Sequence, residues 1–288
     1  MIYLQYAANG IILGGLYACI AVGFSLTWGV LNIINILHGA FIVLGCYIAF
    51  FAHQLFGLHP FVVLPIAGLL VGALGYLTQA GIINRVVGQT VLVTLTLTFG
   101  LDLIFNNALI LAFTANYRQV VLEHPLGTVN LGGVFIPLDR AFATALALLL
   151  TFGLYAALRV LRLGRAIVAV RFDREAAALM GVDVMRTYAI TFAIGAFMAG
   201  AAGSLLSVVF PIAPITGHLF LGKAFVICVL GGIGSVSGAA IGGIVLGLLE
   251  SFAASFIGPE LALTVAFGVL IALLAVRPQG IMGREDMH

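Results

Sequence analysis

Charge is scarce in this 288-residue chain: 8% of its residues are Asp, Glu, Lys or Arg, against about 25% in an ordinary soluble domain. A water-soluble fold is excluded by that shortage, because so little charge cannot clothe a solvated surface. Tryptophan occurs once and cysteine three times. Cys19, Cys46 and Cys228 each fall inside an apolar run, which reads as buried small residues and implies neither a disulfide framework nor a metal site. The opening MIYLQYAANGIILGG has no basic stretch before its apolar residues and no small-residue cleavage site, so it reads as an uncleaved first helix rather than a signal peptide. A net charge of +2 marks no nucleic-acid partner.

Apolar residues make up 63% of the chain, about 181 positions, enough for eight or nine spans at ~20 residues each. The runs are continuous rather than alternating, so the spans are helices and not strands of a barrel. Hydropathy places them at about 4–29, 32–53, 61–84, 90–113, 139–160, 187–210, 219–232, 236–257 and 260–276. The seventh is too short to cross ~30 Å at 1.5 Å per residue. It leads into GGIGSVSG, and is expected to be broken or re-entrant. The fold class is therefore an all-α polytopic membrane protein, one transmembrane domain over 1–288, with eight or nine helices and glycine-rich interruptions. Thirty-six glycines fit close helix crossings, including the four-residue series Gly234, Gly238, Gly242 and Gly195, Ala199, Gly203.

Basic residues set the orientation. Arg159, Arg162, Arg165, Arg171, Arg174 and Arg186 crowd into 159–186, and Arg85, Arg277 and Arg284 share that side; all nine are assigned to the cytoplasm. The segment 114–138, with only Arg118 and Glu123 and the turn formers Pro125, Gly127, Gly132 and Gly133, is the expected external loop. This count puts the N-terminus outside and the C-terminus inside.

Within the Arg-rich loop, Phe172, Asp173 and Glu175 open a short helix that runs through Ala176, Ala177, Leu179 and Met180 and stops at Gly181. Ala176, Leu179 and Met180 are spaced to form one face. The helix is either an interfacial linker or a docking element for a cytoplasmic protein. Asn32, Asn35 and His38 recur every three residues in an apolar segment, which on a helix gives one polar face, with Gly39 permitting a break. They either bond between helices or line a pathway. In the fourth span stand Thr94, Thr96, Thr98, Asp102 and Asn106. The threonines readily satisfy themselves on the preceding turn, whereas a mid-span carboxylate must face the interior, be neutral or be paired. Glu250 raises the same question, Gly232 and Gly234 mark the late break, and Lys223 is expected to reach the external interface. GAFIVLG at 39–45 and KAFVICVLGG at 223–232 hint at an internal repeat. Gly217–Ala224, GHLFLGKA, nearly matches a phosphate-binding loop but lacks the final hydroxyl and a βαβ context, so no nucleotide site is read there. No catalytic constellation or metal cluster is evident, and the chain is read as no enzyme.

Three stretches carry a resemblance. The loop and helix around RFDREAAALMGVDVMRTYAITFAIGAFMAGAAG, the segment LNIINILHGAFIVLGCYIAF and the late KAFVICVLGGIGSVSGAAIGGIVLGLLE resemble, in order and spacing, the LivH-type permeases of branched-chain amino acid ABC importers, the hydrophobic amino acid uptake family. Ile36 and Leu37 stand where that family usually has Phe-Ala. The resemblance implies an inner-membrane permease working by alternating access, with residues 172–181 as the coupling helix to the ATPase. It further implies a second related permease subunit, two cytoplasmic ABC ATPases that hydrolyse ATP, a periplasmic binding protein, and no cofactor on this chain itself. Two other readings stay open: an ion-coupled secondary transporter or facilitator for a small neutral solute, which would make Asp102 or Glu250 essential, and an ABC permease for urea or short amides.

Overall fold

The computed structural model describes residues 2–122, 125–276 and 280–282. Glu123, Arg277 and Arg284, used above for orientation, lie outside the described residues.

Among the described residues eleven α-helices follow one another: α1 (Ile2–Leu31), α2 (His38–Phe56), α3 (Pro60–Gly81), α4 (Val91–Phe113), α5 (Leu138–Val160), α6 (Arg162–Phe172), α7 (Arg174–Leu179), α8 (Val184–Val209), α9 (Thr216–Gly231), α10 (Val236–Phe256) and α11 (Pro259–Val276). Seven of them are long and apolar enough to cross a membrane, and the apolar helices α9 and α11 are shorter. The chain is thus a multi-pass, all-α membrane protein. One small exception sits between α4 and α5, where β1 (Thr128–Leu131) and β2 (Val134–Pro137) pair antiparallel, Val129 opposite Ile136. Gly132 and Gly133, both at positive φ, make its two-residue turn. The hairpin is tied to α1 by Gln5, whose side chain accepts from the Phe135 amide at 2.7 Å and donates to its carbonyl at 2.8 Å.

Helix ends follow local chemistry. Pro60 starts α3 behind His59, whose ring accepts from the Phe61 amide, while Gly57 at φ +66° closes α2. Asp183 and Ser235 cap α8 and α10 by accepting from Arg186 and Gly238 amides.

The core is built on α1 and α8, which are buried over most of their length. Each packs along one long antiparallel partner. On α1, Gly10 abuts Leu248 and Gly14 abuts Ile244 of α10; on α8, Ala196 and Phe197 fill the notches at Gly75, Gly72 and Gly68 of α3, and Ser204 donates to the Pro60 carbonyl. The pairing α1·α10 is thus mirrored by α8·α3, and α9·α1 by α2·α8. Residues 2–113 and 184–276 form two repeats of opposite sense. Their centres meet where α2 and α9 begin. A methyl group on Gly39 would lie 2.5 Å from the Gly217 carbonyl oxygen, and one on Gly217 would lie 2.9 Å from that of Gly39. The glycine series read in the sequence serves this internal packing: Gly242 rests against Ile227 of α9, Gly243 and Gly247 against α1, Gly203 against α2.

Three sequence expectations are corrected here. Asn32, Asn35 and His38 do not share a helix face, because α1 ends at Leu31 and 32–37 is not helical. The break is made by Asn32 at φ +53°, a conformation Asn tolerates better than most residues, and Gly39 serves close approach instead. The symmetry mate of Gly39 is Gly217, so the repeat is not the one suggested by the Ala-Phe pairs at 40 and 224. Lys223 is buried rather than at an interface.

Candidate functional site

Two regions gather the sequence-predicted residues. The first is α7 with its surroundings. Asp173 caps it, one carboxylate oxygen accepting from the amides of Glu175 at 2.9 Å and Ala176 at 3.0 Å. Gly181 terminates it at φ +86°, and the Val182 amide closes back on the Ala177 carbonyl at 3.0 Å, the geometry of a glycine C-cap. Ala177 faces inward, whereas Leu179 and Met180 are 88% and 85% exposed and Phe172 74%. Ala176 is exposed as well. The helix thus holds itself on one small buried residue and presents an apolar tip outward.

Behind α7 lies a cavity of about 410 Å³, lined by Asn32, Gly88, Thr94, Arg171, Asp173, Glu175 and Tyr188 among others. On the neighbouring helix α6, Arg171 donates to the Gly234 carbonyl at 2.7 Å. Gly234 sits in the turn between α9 and α10 at φ +75° and lies against Gly29 of α1. Gly232, at φ +100°, opens that same turn. The segment carrying α7 is therefore bonded directly to the late glycine-rich break.

The second region is interior. Thr94, Thr98, Asp102 and Asn106 stand at four-residue spacing on α4 and are all buried, while Thr96 points away and is satisfied by the Leu92 carbonyl at 2.8 Å. Thr94 bonds its own turn at Val91. Thr98 shares its hydroxyl between the carbonyls of Leu95 and Ile34 at 3.1 and 3.0 Å, so it serves the non-helical stretch between α1 and α2. Asn106 donates to the main-chain carbonyl of Asp102 at 3.1 Å. Asp102 is 1% exposed, and neither carboxylate oxygen has a hydrogen-bond partner among the described residues; the Nδ1 of His218 stands 3.8 Å away. The side-chain oxygens of Asn106 and Asn35 are also buried without partners. His38 donates from Nε2 to the Ile20 carbonyl at 3.1 Å and meets the Phe24 ring edge-on. That bond fixes the start of α2 beside the middle of α1, eleven residues before its end.

Glu250 is separate from this stripe. One of its oxygens bonds Lys223 Nζ at 2.6 Å, and Lys223 also donates to the Tyr17 hydroxyl at 2.6 Å. Sequence reasoning misses Tyr17, which is hidden in an unbroken apolar run, and His218, which lies in the stretch that nearly matches a phosphate loop. Gly217–Ala224 is wholly within α9, a helix and not a loop. In sequence Arg171 is one topogenic charge among six; nothing in its spacing distinguishes it from its neighbours.

No solved structure matches the chain. It is 34% identical to the high-affinity branched-chain amino acid transport system permease protein BraD of Pseudomonas aeruginosa, over 99% of this chain and 97% of that protein. It is 33% identical to LivH of Escherichia coli, over the same shares, and 29% identical to the LivM permease of that organism, over 93% of this chain and 68% of LivM. Residues 6–274 match the model of the branched-chain amino acid transport system permease component, and the chain belongs to that family.

Proposed function

We propose that the chain is the membrane-spanning permease subunit of an ATP-driven importer in the bacterial inner membrane, moving branched-chain or other hydrophobic amino acids by alternating access. The names of its relatives support the substrate class, and the similarity to both LivH and LivM supports a second, related permease as partner. Two cytoplasmic ABC ATPases would hydrolyse the ATP, and a periplasmic binding protein would deliver substrate. In this reading the chain binds no cofactor and catalyses no reaction of its own.

The observation that carries the proposal is α7, a capped helix with an apolar tip at the Arg-rich end. An exposed Leu179–Met180 pair on a soluble segment calls for a protein partner, and the bond from Arg171 to Gly234 gives a displacement of that segment a route into the break between α9 and α10. The positive-inside bias supports 159–186 as a cytoplasmic loop and 114–138, with its hairpin, as an external one. The N-terminus, tied to the hairpin through Gln5, goes with the outer side. Nine spans fit this orientation when α9 and α11 are counted. The non-helical stretches at 32–37 and 210–215 then lie within the membrane, tolerated because protein covers them. Asn32, Asn35, His38, Gly39, Thr94, Thr98, Asp102, Asn106, Gly232 and Gly234 line or gate the pathway in this reading. Thr96 and Glu250, turned elsewhere, are supports at most.

Leu179→Asp and Met180→Asp test it. Both positions are exposed, so the permease is expected to insert normally yet fail to co-purify with its ATPase and to lose uptake. Normal ATPase association and uptake at normal expression would sink the coupling-helix assignment.

A further inference from the structure

We infer that Asp102, Asn106 and Asn35 form the seat for the primary ammonium group of an amino-acid substrate, with His218 as the group it displaces. The inference rests on the permease reading and adds to it the part of the substrate that this chain itself recognises.

Donors and acceptors do not balance at this place. Asp102 is 1% exposed, Asn35 2% and Asn106 8%, and four of their oxygens, both of Asp102 and one from each amide, have no hydrogen-bond partner among the described residues. An ionised carboxylate only accepts, and an amide oxygen only accepts. The Asn106 amide gives one N–H to the Asp102 main-chain carbonyl at 3.1 Å, and its second N–H, which reaches toward the carboxylate, is a single donor set against four acceptors. Asn35 follows Ile34, whose carbonyl takes the hydroxyl of Thr98 at 3.0 Å, and Thr98 is one turn before Asp102 on the same face of α4, so the backbone that carries Asn35 runs against this stripe. Orphaned acceptors in a dry interior are costly. What completes them is a group with several donors and no acceptor, which describes a primary ammonium with its three N–H bonds. An anion or a purely apolar ligand is refused by the same count.

His218 supplies the entrance. Its Nδ1 at 3.8 Å forms the only ion pair of Asp102 among the described residues, and its side chain is 45% exposed. It stands in the first turn of α9, next to Gly217, where the two repeats touch. A turn of that ring opens the carboxylate without disturbing the helix core. Phe105, three residues beyond Asp102 and edge-on to Phe41 at 6.1 Å, offers apolar surface on the same side, as a hydrophobic amino acid requires.

The test uses the whole importer, with its second permease, ATPases and binding protein, in proteoliposomes in a sodium-free potassium buffer, and reads leucine imported per ATP hydrolysed. Losing a charge-assisted hydrogen bond predicts a fall of about tenfold or more in this ratio for Asp102→Asn, and a comparable fall for Asn106→Leu. Asn107→Leu should leave the ratio unchanged, since Asn107 is on the exposed face and bonds its own turn. A ratio within twofold of the unmodified importer in Asp102→Asn overturns the ammonium assignment and leaves the permease reading standing. Uptake that instead requires added sodium, with the requirement lost in Asp102→Asn, overturns it in favour of an inorganic cation. Absence of ATP-driven leucine uptake by the unmodified importer overturns the permease reading, and the assignment with it. If Asp102→Asn does not assemble with its partners, the ratios in Asn106→Leu and Asn35→Leu decide the assignment by the same thresholds.

Discussion

Lys223 is held between two oxygens at 2.6 Å, one from Glu250 on α10 and one from Tyr17 on α1, with its ammonium 4.4 Å from the centre of the Tyr17 ring. Three helices are thereby fastened by one charge. Lys223 is buried and Glu250 partly so, so the pair adds little net stability over a well-packed apolar pair, whereas removing one partner strands the other at a cost of up to about 3–5 kcal/mol. Glu250→Gln and Lys223→Met should each lower the melting temperature of the detergent-solubilised protein markedly, and Lys223→Met combined with Glu250→Leu should recover most of the loss. A double variant no more stable than the singles would show that the network does more than pair charges. Asp102 contrasts with this arrangement, because among the described residues the charge it faces is His218 at 3.8 Å, beyond hydrogen-bond distance. In sequence both acids stand out for the same reason, an ionisable group in an apolar run, and the one bonded to a lysine looks no different from the one that is not. Pairing depends on which helices touch, and Lys223 and Glu250 are 27 residues apart on different helices.

Among the elements, α7 is the most legible in sequence and the α1–α2 break the least. Asp173 before a run of alanines and Gly181 after it are local signals, and the cap and the positive φ appear at those positions. The face is less legible: Ala177, not Ala176, turns inward, because a six-residue helix takes its orientation from what it leans on. At 32–37 the three-residue spacing imitates a helix. The actual path is set by tertiary partners, Thr98 for the Ile34 carbonyl and Ile20 for His38, which no local pattern announces. The glycine spacing is legible as close packing and is used so. For α7, removing the cap in Asp173→Ala should cost about 1 kcal/mol of local stability, read as amide exchange about fivefold faster at residues 174–179, with weaker ATPase association. Unchanged exchange would mean that the helix is held by its buried face alone.

At the scale of the molecule, the two opposed repeats explain why a faint sequence echo points to the wrong mates: Gly39 and Gly217 are matched by backbone approach, not by similar flanking side chains. They also give the sidedness a physical test. The Arg-rich segment carrying α7 and the hairpin β1–β2 lie at opposite ends of α5, a 23-residue helix and so about 35 Å long. The chain is well suited to labelling, since Cys19, Cys46 and Cys228 are all buried, none more than 3% exposed, and stay silent to a bulky, impermeant maleimide. A cysteine at Leu179 or at Leu131 is available, the native side chains being 88% and 62% exposed. In intact spheroplasts, Leu131→Cys should react and Leu179→Cys should not. After the membrane is opened both should react, and Leu179→Cys should be shielded again when the ATPase is bound. Reaction of Leu179→Cys in intact cells would invert the topology and remove α7 from the compartment where ATP is hydrolysed. Equal reaction before and after ATPase binding would leave the topology intact and displace only the docking role.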